Sequence, residues 1–244
     1  MKNILITGAK KGIGRYLAEE LEKLGMYNII TFSRKNSIKD VSNNVYDIII
    51  HCAFNSSNHV TNYVFGKYVD DNINLTLDLT KLKYRRFIYF SSIDVYPKSD
   101  EKEIYKEDTD FDLSKINNLY SYTKLLCEKL VAKNCDDYLI LRPSMMLGKY
   151  MKKGNLYKLL YENDKVLSLT KDSTFNIIDY NFINVFIVKS IKENIRGIYN
   201  LVSKRNYTLE ELCRINNIDI NTVQFGKFKY ITPNISGNKL FSVY

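Results

Sequence analysis

Across 244 residues no apolar run approaches membrane-spanning length, which argues against an integral membrane span, and the chain opens on a strand instead of a signal peptide. The expectation is a cytoplasmic protein with no membrane partner. Cysteine is sparse: Cys52, Cys127, Cys135 and Cys213 lack the spacing of metal ligands or of a disulfide framework, and read as free thiols used as small hydrophobes. No internal repeat and no low-complexity linker divides the chain, whose length suits one medium domain, or one domain with a small appendage. Long runs of one charge are missing too. The formal charge is +9, but the basic residues are interleaved with acids, apart from short clusters at Lys10-Lys11, Arg34-Lys35, Arg85-Arg86 and Lys152-Lys153. That pattern suits small phosphorylated ligands and argues against a nucleic-acid groove.

Glycine is scarce enough for its placement to matter. Three of the ten glycines fall between Gly8 and Gly14, directly after the apolar run Ile4–Ile6 and before a run with helical spacing at Ile13, Leu17, Leu21 and Leu24. Strand, tight turn and helix in that order leave free backbone N–H groups at a helix N-terminus, where the dipole favours an anion and a pyrophosphate can come close.

Further strands are expected at Asn28–Phe32, Tyr46–Cys52, Arg86–Phe90 and Tyr138–Leu141, with helices over Asp71–Lys83 and from Asn118 to Lys133, the latter turning Leu119, Leu126, Leu130 and Val131 inward. Between the second and third strands there is barely room for a crossover, so a strand there is either trimmed or very short. An irregular acidic loop, Pro97–Lys115, precedes the last of these helices. The alternation argues for an α/β fold with a parallel, doubly wound sheet. After Gly148 come a helix near Asn155–Tyr161, an apolar stretch at Phe175–Ile191, a short strand Ile198–Val202, and a helix opened by a capping box at Thr208 and Glu211. Residues 149–244 read as a small substrate-binding lobe on the carboxyl edge of a nucleotide-binding unit formed by residues 1–148.

Tyr120 and Lys124, four apart on one helix face, can act on one substrate, and a neighbouring ammonium favours the ionised phenol. Tyr63/Lys67 and Tyr161/Lys165 share the spacing. Tyr120 differs in following the loop after Ser91-Ser92, which closes a central strand whose carboxyl end faces the ligand crevice. Ser92 there can donate to the oxygen that the tyrosine protonates, or can serve as a turn or capping serine.

Together these residues resemble the short-chain dehydrogenase/reductase superfamily, and more closely its extended branch of nucleotide-sugar epimerases, dehydratases and reductases. TGAKKGIG (Thr7–Gly14) is similar to the cofactor loop, with the glycine spacing of the shorter single-domain branch; DIIIHCAF (Asp47–Phe54) resembles the strand beneath the cofactor. Asn72 with Thr76 matches the neighbouring Asn-containing helix, FIYFSSIDVYP (Phe87–Pro97) the serine block, YSYTKLLCE (Tyr120–Glu128) the YxxxK helix, ILRPSMMLG (Ile140–Gly148) the arginine-proline strand, and GIYNLVSKRNYTLEEL (Gly197–Leu212) the strand and helix of the sugar lobe.

The resemblance implies a Rossmann-type fold and a catalytic set of Ser92, Tyr120, Lys124 and Asn72, with Lys124 lowering the Tyr120 pKa and holding the nicotinamide ribose. It also implies cofactor contacts from Gly8, Lys10, Lys11, Gly12, Ile13 and Gly14 in the loop, from Cys52 and Ala53 after the third strand, and from Tyr120, Lys124 and Pro143. Ser33 and Arg34 end the second strand, where an acid would accept the ribose 2′-OH of NAD and an arginine suits a 2′-phosphate; this tilts the cofactor towards NADP, with NAD possible. Substrate contacts are expected from Ser92, Asp94, Lys152 and Lys153. Ile93 and Asp94 stand where the dehydratases carry an Asp and a Glu, which argues against dehydration. The implied activity is hydride transfer to or from a sugar carbon of a nucleotide-linked sugar, as a 4-keto-sugar reductase or as an epimerase with tightly bound cofactor. A non-catalytic NAD(P)-binding protein is the rival, and a homodimer through two flanking helices is implied.

Overall fold

The structure, a computed structural model, describes residues 1–57, 60–98, 103–110, 112–116 and 118–244. Its frame is a six-stranded sheet built from β1 (Lys2–Thr7), β2 (Tyr27–Phe32), β3 (Val45–His51), β4 (Lys83–Phe90), β5 (Tyr138–Pro143) and β6 (Gly197–Leu201), in the order β6-β5-β4-β3-β1-β2. Every neighbouring pair is parallel. Ile48, Ile49 and Ile50 show why these strands read as unbroken apolar runs. Successive side chains enter opposite faces, and both faces are covered. Ile4, Ile6, Ile48, Ile50 and Ile88 pack with Leu17 and Leu21 of α1 (Gly12–Lys23) on one side, whereas Leu5, Ile49, Phe87 and Tyr89 pack with Leu79, Cys127 and Val131 on the other.

Several expectations need correction. No strand is trimmed between β2 and β3: the chain passes over β1 with only the four-residue helix α2 (Lys39–Ser42) between them. The helix expected at Asp71–Lys83 starts earlier, as α3 (Asn62–Val69), passes through a π-helical turn, Asp70–Asn74, and ends as α4 (Leu75–Thr80). In α5 (Leu119–Asn134), Leu119 and Leu126 are exposed, and the buried face is largely polar, with Ser121, Thr123, Lys124, Cys127, Glu128 and Val131. Leu24, the last residue of the run with helical spacing, lies just past α1 and is exposed. Gly197–Leu201, expected in the lobe, is instead the edge strand of the sheet, and α7 (Tyr180–Glu193) packs Ile183, Phe186 and Ile187 into the α1 side of the core. Part of Pro97–Lys115 lies outside the described residues.

A second cluster joins Leu156 and Leu159 of α6 (Asn155–Tyr161) to Phe175 and to Leu209, Leu212 and Cys213 of α8 (Leu209–Ile215). Thr208 and Glu211 form the expected reciprocal cap at the start of α8. All four cysteines are free thiols, and no described helix is long and apolar enough to cross a membrane.

Candidate active site

The carboxyl ends of β1, β3, β4 and β5 open into one cleft of about 1420 Å³. Its first wall is the glycine turn. Gly8 has φ +72°, and a Cβ there would come within 2.9 Å of the Ala53 amide nitrogen, while one on Gly14 would reach the Gly8 carbonyl oxygen at 2.7 Å. The glycines thus let β1, α1 and the end of β3 meet in van der Waals contact. Beneath the turn the Thr7 and His51 side chains hydrogen-bond at 2.7 Å, His51 continues to Thr76 at 3.0 Å, and Thr7 Oγ1 accepts from the Ala53 N–H at 3.0 Å. Burial holds the His51 imidazole down to about 3, with the Lys124 charge acting in the same direction. His51 is therefore a neutral strut between β1, β3 and the helix that follows the π-helical turn.

The donor set fits a dinucleotide. Helix α1 begins after Lys11 with no side chain capping it, so N–H groups of its first turn past Gly12 are left to a ligand in the cleft. Lys10 and Lys11 line the same wall. In addition, the buried Ser91 and Ser144 hydroxyls line the cleft without a hydrogen-bond partner among the described residues. One amide of the turn is engaged already, as the Gly12 N–H donates to the Tyr150 carbonyl at 3.1 Å.

At the outer end, Ser33 and Arg34 line the cleft, and the Arg34 guanidinium lies 3.5 Å from Asp71. Lys67 also pairs with Asp71, at 3.2 Å, and the Asn55 side chain donates to it at 3.0 Å. The adjacent Asn72 is fully buried and does not line the cleft. Its side chain accepts from the Asn55 N–H at 2.7 Å and donates to the Asn55 carbonyl at 3.2 Å, so it clamps the loop after β3, which does line the cleft. The π-helical turn carries both Asp71 and Asn72.

Ser92, Asp94 and Tyr120 gather at the inner end. Ser92 caps a short 3-10 turn, its Oγ accepting the Asp94 N–H at 3.1 Å, and its hydroxyl also engages the Tyr120 phenol. Asn118 caps α5 by accepting from the Ser121 N–H at 2.8 Å, which sets Tyr120 in the first turn. The Tyr120 ring meets Phe54 edge to face at 5.2 Å. Lys124, one turn on, is buried behind the wall: its ammonium donates to the Phe90 carbonyl at 2.6 Å and sits 3.9 Å over the Phe54 ring. Burial lowers its pKa to about 8. The expected lowering of Tyr120 by Lys124 is not what this geometry gives. The ammonium is 6.0 Å from the Tyr120 ring centre and turned to a carbonyl, while burial and the Asp94 charge push the phenol up, with only Ser92 opposing.

Most of the residues expected at the site share this cleft: the glycine turn, Ile13, Cys52, Ala53, Pro143 and Lys152 all line it. Lys153 does not, as its ammonium lies 5.6 Å from the Tyr157 ring on α6. Sequence reasoning missed Asn55, Tyr150, Phe175, Tyr180, Tyr230 and Thr232 in the lining. Tyr230 and Thr232 belong to a tail with no periodicity that could have flagged them.

Residues 4–163 match the model of the NAD dependent epimerase/dehydratase family. No curated protein matches the chain in sequence. Among solved structures the chain is similar to the Bacillus cereus UDP-glucuronic acid 4-epimerase in complex with UDP-glucuronic acid and NAD (20% identity, 99% of this chain and 92% of that one, TM-score 0.75). It is also similar to the Bacillus anthracis dTDP-4-dehydrorhamnose reductase in complex with NADP (22% identity, 99% and 91%, TM-score 0.78). A third likeness is to the dTDP-glucose 4,6-dehydratase of the same organism in complex with NAD (15% identity, 99% and 90%, TM-score 0.76).

Proposed function

The chain belongs to the NAD dependent epimerase/dehydratase family, and is thus an NAD(P)-dependent enzyme of the extended short-chain dehydrogenase/reductase type; from that premise we propose that it reduces a nucleotide-linked 4-keto sugar with NADPH. The observation that carries this reading is the shared cleft. A phosphate-binding turn lines one wall, Arg34 closes the outer end, and the Ser92–Tyr120 pair occupies the inner end.

When bound, the nicotinamide supplies the hydride. The residues do the rest. Lys10, Lys11 and the amides of α1 past Gly12 would hold the diphosphate of the cofactor, and Arg34 would take the extra ribose phosphate. Tyr120 keeps its proton at neutral pH because burial and Asp94 both oppose ionisation, so it meets a carbonyl oxygen as a proton donor. Ser92 hydrogen-bonds the same oxygen and orients it. Lys124 stays fixed to the Phe90 carbonyl behind the wall. Lys152, in the cleft wall, meets the diphosphate of the sugar nucleotide. A homodimer is part of the reading: Tyr63, Val64 and Phe65 on α3 and Tyr122 and Leu126 on α5 are exposed, and the two helices are joined by the Tyr68–Thr123 hydrogen bond.

An epimerase built on the same residues is the second reading, favoured by the serine-tyrosine-lysine set itself. Purified protein separates the two. A reductase oxidises added NADPH stoichiometrically with a keto-sugar nucleotide. An epimerase copurifies with its cofactor and shows no net oxidation.

A further inference from the structure

Beside the Ser92–Tyr120 pair stands a carboxylate, Asp94, whose setting is built from both halves of the chain. Its backbone is fixed on two sides, the N–H donating to Ser92 Oγ at 3.1 Å and the carbonyl accepting from Ser121 Oγ at 2.5 Å. The carboxylate is free to face the cleft, about a third exposed, with the Ser92 hydroxyl donating to it at 3.4 Å and the Lys98 ammonium 3.5 Å away. Tyr230 comes from the C-terminal tail to complete the wall. Its ring stacks on Phe175 at 4.9 Å, carries the Lys98 ammonium 4.3 Å above it, and its phenol interacts with Asp94.

We propose that Asp94 selects the sugar: it accepts hydroxyl hydrogen bonds from a neutral hexose and repels a hexose that carries its own carboxylate, so the substrate is a nucleotide-linked neutral sugar and not a uronate. The proposal rests on the nucleotide-sugar reading given above. A carboxylate brought next to Asp94 meets a like charge in a partly desolvated pocket, a repulsive element of the kind that sets specificity. Lys98 offsets part of it only. That ammonium is exposed and shared with the Tyr230 ring, and Lys124 is buried and turned to the Phe90 carbonyl. Tyr230, in the same lining as Asp94, presents a second hydroxyl to the same sugar.

Calorimetric titration of the NADP-saturated protein with matched pairs tests this: UDP-glucose against UDP-glucuronate, dTDP-glucose against dTDP-glucuronate, and GDP-mannose against GDP-mannuronate. In whichever nucleotide series binds, the neutral member is expected to bind at least about tenfold tighter, a difference of about 1.4 kcal/mol. Asp94→Asn brings the pair to within about threefold by tightening the uronate, and Lys98→Met, which strips the compensating charge, widens the gap. A wild-type ratio near one overturns the proposal and leaves the hydride-transfer reading standing. So does a ratio unchanged in Asp94→Asn, even if both members weaken together. Failure of every pair to bind removes the nucleotide-sugar reading itself, and the proposal with it.

Discussion

Lys124 and Tyr120 are the residues whose environments depart furthest from what spacing alone suggests. Burial lowers the Lys124 ammonium from 10.5 to about 8, so between those values the unfolded chain binds a proton that the folded one does not. Stability contributed at this site is therefore lowest below pH 8 and rises with pH through that window. Replacing the lysine by methionine removes the dependence. Urea unfolding of wild type and Lys124→Met at pH values on either side of the window should show the difference moving in favour of wild type by about 3 kcal/mol as pH rises. Arg34 gives a second prediction. If it binds the 2′-phosphate, Arg34→Ala raises the KM for NADPH by about tenfold or more and leaves that for NADH within about twofold, as measured by steady-state kinetics. An equal rise for both cofactors assigns Arg34 to the shared adenosine instead.

Among the elements, the strands are the most legible in the sequence, because central parallel strands buried on both faces must be apolar throughout, as Ile48–Ile50 and Phe87–Phe90 are. The helices are less so. In α3 only Tyr68 is buried, so residues 62–69 give no periodic signal, and the π-helical turn at Asp70–Asn74 breaks the phase of whatever follows. In α5 the leucine pattern points away from the true inner face, since Lys124 and Glu128 are buried there against the Phe90 carbonyl and Arg142. Polar residues of that kind are buried at a cost that partners must offset, and the partners come from distant strands that no local pattern reveals. The cap of α8 is the opposite case, a local interaction readable from four residues. Thr208→Ala should lower global stability by about 1 kcal/mol in denaturant unfolding and leave kcat unchanged. A larger loss, or a fall in kcat, means that α8 is coupled to the cleft and not merely to the Leu156–Leu209 cluster.

Taken as a whole, the molecule places its glycine turn, the Tyr120 phenol and the tail-derived Tyr230 around a single cleft. The turn and the Ser92, Tyr120 and Lys124 set are visible in the chain because each rests on a short motif. Tyr230 is not, because it reaches Phe175 and Asp94 only through tertiary packing of a segment without period or motif. The central claim is hydride transfer from the cofactor to a sugar carbon, with Tyr120 giving the proton. Incubating the protein with nicotinamide-deuterated NADPH and a keto-sugar nucleotide, then locating deuterium in the product by mass spectrometry and NMR, tests it most directly. The expected result is one deuterium on the former carbonyl carbon, formed about 10²- to 10⁴-fold more slowly by Tyr120→Phe. Product without deuterium, or deuterium transfer undiminished in Tyr120→Phe, would contradict it.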